Sequence, residues 1–283
     1  MNASYLPELK ESDASGDIAR IYEEIRLYSG VPYVSTLQRY LATMPGVLEF
    51  SWAFIRPSMI SGEAPEAAWL AAGDALPPPL PPMSSSMLQK MGIDATDLEV
   101  IRNISANFAR VSPVNVVTGA MLEPLVSGAP LPEGEGFFYD EDDDEDWDPP
   151  EMLGAMPPLP AMDSMSDGLK TTLNTLMVPI DDQPFLPALY RQFTQWPDLA
   201  IYLAGIIPSR RMESAVIDAE TRAIDAIVEA GQSLYDFLTP PELAAPDSKT
   251  AALIQEAISR YRATSADMIC TGQALLAALP KVL

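Results

Sequence analysis

Eleven residues, Ser112-Pro113-Val114-Asn115-Val116-Val117-Thr118-Gly119-Ala120-Met121-Leu122, return in pattern 153 positions later as Ser265-Ala266-Asp267-Met268-Ile269-Cys270-Thr271-Gly272-Gln273-Ala274-Leu275. Ser, Thr-Gly and Leu keep their places, and the residues between are mostly apolar. A second match has nearly the same offset: Pro32, Leu37, Arg39 and Pro45 reappear 152 positions on as Pro184, Leu189, Arg191 and Pro197. Two matches at one spacing predict a tandem duplication of a unit of about 150 residues, far longer than a solenoid repeat. Such a chain is expected to fold as a fused dimer, its two halves packed about a pseudo-two-fold axis.

Apolar positions recur at helical spacing through both halves: Ile18, Ile21, Tyr22 and Ile25; Leu37, Tyr40, Leu41 and Met44; Ile217, Ile224 and Ile227. No alternating strand pattern stands out, so the expected fold class is all-α, with helices packed in two related sets. Ser112 reads as an N-cap with Pro113 at the first helical position, and Ser265 as its counterpart. The helices they open should lie side by side, and the paired Gly119 and Gly272 suggest a close approach there. Three regions follow: a first helical repeat over 1–127, an acidic, proline-rich linker over 128–160, and a second repeat over 161–283. The linker contains seven consecutive acids at 140–146 and is expected to be mobile. It lacks the central glycine of a calcium loop, so no metal site is expected.

Composition excludes several functions. With 17 Lys+Arg against 40 Asp+Glu the net charge is −23, which argues against nucleic acid and anionic membrane surfaces as partners. There is no histidine and a single cysteine, Cys270, so histidine-based catalysis and an intrachain disulfide are ruled out. Neither a signal peptide nor an apolar run of about 18 residues stands out, and the chain is expected to be soluble and cytoplasmic.

Three stretches then carry a resemblance. Asp17-Ile18-Ala19-Arg20-Ile21-Tyr22-Glu23-Glu24-Ile25-Arg26-Leu27, Val31-Pro32-Tyr33 and Leu41-Ala42-Thr43-Met44-Pro45-Gly46 resemble the N-terminal signature of the group I (DL-) 2-haloacid dehalogenases. The likeness continues through Leu159-Pro160, Trp196-Pro197 and Leu238-Thr239-Pro240-Pro241-Glu242-Leu243-Ala244, covering most of the chain but skipping the acidic block. It implies a pseudo-dimer of two helical repeats with a tunnel between them. It also implies cofactor-free hydrolysis of the carbon–halogen bond of a small 2-haloalkanoic acid. In that family an aspartate activates the attacking water and an asparagine helps to hold it. A gap-free alignment from Trp196-Pro197 puts the aspartate position on Leu189 and the asparagine position on Ser112, so both carry other residues here.

The base must then lie elsewhere. Asp267 is a candidate, because it is an acid in an apolar helix and its repeat partner is Val114. Asp182, ahead of Pro184, is a second. Tyr33, Arg39, Ser112, Leu189 and Arg191 fall in segments expected to line the tunnel, and the two arginines could hold a carboxylate. The alternative is a divergent member that binds or transforms another small apolar molecule between the repeats. Either way the expected partner is a small-molecule substrate, with no cofactor, and homodimerisation is left open.

Overall fold

The computed structural model describes residues 6–132, 134, 147–180 and 183–281; Asp182 and the acidic block at 140–146 lie outside them. The first half holds α1 (Gly16–Ser29), α2 (Thr36–Leu41), α3 (Val47–Ile60), α4 (Glu63–Asp74), α5 (Ser85–Lys90) and α6 (Ala95–Val126). The second holds α7 (Asp167–Leu173), α8 (Ala188–Gln192), α9 (Pro197–Arg210), α10 (Ser214–Tyr235) and α11 (Ser248–Ala278). The fold is all-α apart from an antiparallel pair, β1 (Val178–Ile180) and β2 (Gln183–Phe185). Sequence reading missed these strands because three residues cannot display alternation. Pro179 sits opposite Pro184, which two strands that are both edges tolerate. No described helix is long and apolar enough to cross a membrane.

The long helices α6 and α11 organise everything else. Neither starts at the serine expected to cap it. Asp94 caps α6 in a reciprocal box with Asp97, and Asp247 caps α11 by accepting from the Thr250 amide at 2.7 Å. Ser112 and Ser265 lie well inside the two helices. A proline inside a helix removes a backbone donor and usually breaks it. Pro113 is tolerated because every residue from Val111 to Leu122 is buried, so packing on all sides holds this part of α6.

The two helices run antiparallel. Gly119 faces Ile258, while Gly272 faces the backbone of Ser105 and Ala109. Glu123 near the end of α6 pairs with Arg262 in the N-terminal half of α11 (2.6 Å). Arg102 near the start of α6 donates to the carbonyls of Leu276 and Leu279 at the end of α11.

Two apolar cores result, and neither belongs to one half of the chain. One gathers α1–α4 with Val114, Val117 and Met121 of α6 and with Ile227, Ile254 and Ile258 from the second half. The other gathers α8 and α9 with Leu80, Leu88, Ile101 and Ile104 from the first half and Leu275 of α11. Each long helix therefore contributes one end to each core.

The described part of the linker departs from expectation. Residues 147–160 form no helix or strand, yet they are fastened along their length. Trp147 donates to Glu66 (2.8 Å) and fills the space over Gly62, whose φ of +83° also favours glycine. Arg110 donates to the Glu151 carbonyl (2.7 Å), Asn103 to that of Gly154 (2.8 Å), Gln192 to that of Pro157 (3.1 Å) and Arg191 to that of Pro160 (2.6 Å).

The crossing predicts unequal tolerance at the paired glycines. A Cβ at Gly272 would meet backbone at 3.2 Å, which cannot yield without moving α6, whereas at Gly119 it would meet the movable Ile258 side chain at 3.3 Å. Gly272→Ala should lower unfolding free energy by about 1–3 kcal/mol and Gly119→Ala by clearly less. Urea titration of both variants checks this, and equal losses would contradict the packing described.

Candidate functional site

Two polar clusters interrupt the cores, one against α6 and one against α11. The first centres on Asn115, a buried amide in the apolar face of α6. Its Oδ1 accepts from Gln38 Nε2 at 2.7 Å, and its Nδ2 donates to Ser35 Oγ and, at 3.0 Å, to Tyr261 Oη. Ser35 stands at the N-cap position of α2 but caps no amide, because its hydroxyl serves Asn115 instead. Phe108, Ser112 and Asn115 share a face of α6 through their spacing of 4 and 3. Tyr33 packs on Phe108, with ring centroids 6.4 Å apart.

The Tyr33 hydroxyl, Ser112 Oγ and Gln38 Oε1 are buried and have no hydrogen-bond partner among the described residues. Tyr33 is partly exposed as a residue, but its hydroxyl does not reach the surface. Burial pushes that hydroxyl well above its ordinary pKa, so it is a neutral donor. Each such orphaned group costs about 1–3 kcal/mol unless something bonds it. No carboxylate hydrogen-bonds within this cluster among the described residues.

The second cluster centres on Asp267, the one acid in the buried class among the described residues, 7% exposed. Both its oxygens accept from Tyr190 Oη at 2.8 Å, and Thr271 Oγ1 donates to it at 3.2 Å. Arg211 pairs with it at 2.8 Å, lies over the Tyr190 ring at 5.3 Å, and donates to the Leu176 carbonyl at 3.1 Å. Burial opposes the Arg211 charge most strongly, but the hydrogen bonds and charges of Asp267 and Tyr190 together outweigh it and raise its pKa. The carboxylate is thereby stabilised by paired charge and hydrogen bonds.

Beside Asp267 is a cavity of about 10 Å³, room for roughly one water. Arg210, Arg211, Glu220, Cys270 and Thr271 also line it, and Pro77 forms a wall. Burial, and then the charge of Asp267, push Glu220 up to about 7, against the opposing pull of Arg211 and Arg210. Burial also drives the Cys270 thiol up to about 12, so it is no thiolate at neutral pH.

The expected site residues separate. Tyr33 and Ser112 belong to the first cluster. Arg39 lies close enough for its charge to act on Tyr33, yet it pairs with Glu8 at 2.9 Å. Leu189 is fully buried in the second core, next to Tyr190. Arg191 anchors the 147–160 segment at Pro160 and lines no cavity near Asp267. The cations beside Asp267 are instead Arg210, the last residue of α9, and Arg211, which follows it. Sequence reading also missed Asn115, Gln38, Tyr190 and Glu220. One signal was present: Gln38 and Tyr190 are 152 positions apart, the offset of the second match, and each bonds a polar residue of a long helix, although Asn115 and Asp267 fall one residue out of register in the 153 offset of that stretch. A cleft of about 850 Å³ between α1, α3 and the loop before α11 contains none of the expected site residues.

No family model matches the chain. A configuration-inverting 2-haloacid dehalogenase of Alcaligenes xylosoxydans xylosoxydans is 33% identical over 114 residues, which is 40% of this chain. The match spans 38% of that relative's own length. The structure of a D-2-haloacid dehalogenase mutant with D-2-CPA superposes with TM-score 0.74 at 14% identity, covering 98% of this chain and 97% of that one. The crystal structure of a D-2-halacid dehalogenase mutant (TM-score 0.66, 16% identity) and a complex of D-2-haloacid dehalogenase with L-LA (0.66, 15%) cover the same shares. The chain has the fold of these enzymes from end to end.

Two outcomes follow from the Asp267 cluster. Arg211→Met should cost about 3 kcal/mol by stranding a buried carboxylate, and adding Asp267→Asn should recover much of that loss in urea titrations. A loss below about 1 kcal/mol would mean that solvent screens the pair. Glu220 titrates at about 7 in the fold against 4.5 for the free side chain. The native state therefore binds its proton more tightly, and this contribution to stability is present at low pH and lost as pH rises through about 7. Melting curves of Glu220→Gln should gain on the unaltered protein between pH 5 and about 8.

Proposed function

We propose that the chain is a cofactor-independent hydrolase of the haloacid dehalogenase type, acting on the carbon–halogen bond of a small 2-haloalkanoic acid. The carrying observation is the Asp267 cavity, where a buried carboxylate, room for one water and two guanidinium groups meet. In this reading Asp267 takes a proton from the water as its oxygen attacks C2, and the halide departs with the bonding electrons. Direct displacement inverts C2, in keeping with the description of the 33%-identical relative. Arg210 and Arg211 supply positive charge for the substrate carboxylate. A haloalkanoate exceeds the present cavity, so its entry requires the proline segment to move. Arg210 holds that segment through the Pro78 and Pro79 carbonyls.

The reading includes the duplication. Support comes from the N-caps Asp94 and Asp247, 153 positions apart, the same offset as the Ser112 and Ser265 stretches farther along the two helices.

A second reading is favoured by the first cluster: a non-dehalogenating member that binds a small polar molecule through Tyr33, Ser112 and Gln38, where no carboxylate is at hand. Halide release from D- and L-2-chloropropionate separates the two. The dehalogenase reading expects release, and a loss of about a hundredfold or more in kcat on Asp267→Asn. Absence of release, or release indifferent to Asp267→Asn, would remove it. Binding that disappears with Tyr33→Phe and Ser112→Ala, without turnover, would establish the second.

A further inference from the structure

We propose that Glu220 is the exit through which the proton taken from the attacking water leaves the site; this rests on the hydrolase reading above. Hydrolysis of a haloalkanoate yields a hydroxyalkanoate, a halide ion and one proton. The water O–H bond breaks onto Asp267 while its oxygen bonds C2, and the C–halogen electrons leave with the halide. Asp267 must then lose that proton before the next turnover.

Its surroundings leave few routes. Asp267 is 7% exposed and its own partners are poor carriers. Tyr190 is buried with its hydroxyl pushed well above the ordinary tyrosine range, by burial and then by Asp267. Arg211 is held charged, and the Cys270 thiol is pushed up to about 12. Glu220 differs from all of them. It comes from α10, lines the same one-water cavity and is partly exposed. It is thus an acid–base group in reach of both the cavity and solvent. One water bridging two carboxylates is sufficient to pass the proton, after which Glu220 releases it and Asp267 is again ionised.

The charged and titratable groups around Glu220 set its readiness. Asp267 and Cys270 face it from α11, Arg210 and Arg211 from the end of α9, and Arg222 stands beside it on α10. Burial and Asp267 place it at about 7, matched to accepting and releasing a proton at neutral pH.

Three measurements test this. In halide-release assays the kcat of the unaltered protein should rise as pH passes through about 7. Glu220→Gln should lower kcat about tenfold with KM nearly unchanged, flatten that rise, and be rescued by Glu220→Asp and by added imidazole. An unaltered kcat and pH profile in Glu220→Gln would overturn the proposal while leaving the hydrolase intact. A chain with no halide release at all removes both, which is a different result. Infrared spectra provide a check that needs no turnover. A protonated-carboxyl band at pH 6 should vanish in Glu220→Gln and titrate at lower pH in Asp267→Asn, and a band indifferent to Asp267→Asn would show that the two groups do not share the cavity.

Discussion

The antiparallel crossing of α6 and α11 is the constraint on which the structure rests. Backbone meets backbone at Gly272, and an ionic contact, Glu123 with Arg262, fixes the register at the other end. Because each helix is buried in one core at one end and in the other core at the other, neither half can close its apolar surface alone. Burial of apolar area is worth about 25 cal/mol per Å². The crossing thus couples the two cores, and disturbance at either end is felt in both. It also sets the depth of the two polar clusters, which hang from Asn115 on one helix and Asp267 on the other.

An acidic chain gains nothing electrostatically by burying another carboxylate, so the environment of Asp267 has to be specific. A tyrosine, a threonine and a guanidinium satisfy its oxygens within 3.3 Å. Burial, and then the charge of Asp267, drive the neighbouring Glu220 towards neutrality, against the pull of Arg211 and Arg210. The Asn115 cluster is built from amides and hydroxyls instead, so hydrogen-bond geometry rather than charge holds it together.

Helical spacing made the fold class readable, because the apolar stripes through Ile18–Ile25 and Ile217–Ile227 are long and regular. The repeat pointed to the helix pair but misplaced its ends. Ser112-Pro113 looks like a helix start at local range, and only burial on every side makes Pro113 tolerable in the interior. Asp267 stood out as an acid in an apolar helix. Its partners did not, because Tyr190, Arg211 and Glu220 come from three other segments whose meeting is a matter of tertiary packing. Arg39 and Arg191 look alike in sequence, yet one is claimed by Glu8 and the other by a backbone carbonyl. Nothing local distinguishes an arginine that binds substrate from one that ties down a loop.

The segment 147–160 is held at five of its own carbonyls by side chains of α6 and α8. Every residue type offers a carbonyl, proline included, so these anchors do not depend on which side chains the segment carries. Beyond Trp147, whose side chain is itself an anchor, its letters can drift while its path stays fixed, provided the spacing between anchored carbonyls is kept. Such a segment is tolerant of substitution and intolerant of a change in length, the reverse of what its low-complexity appearance suggests.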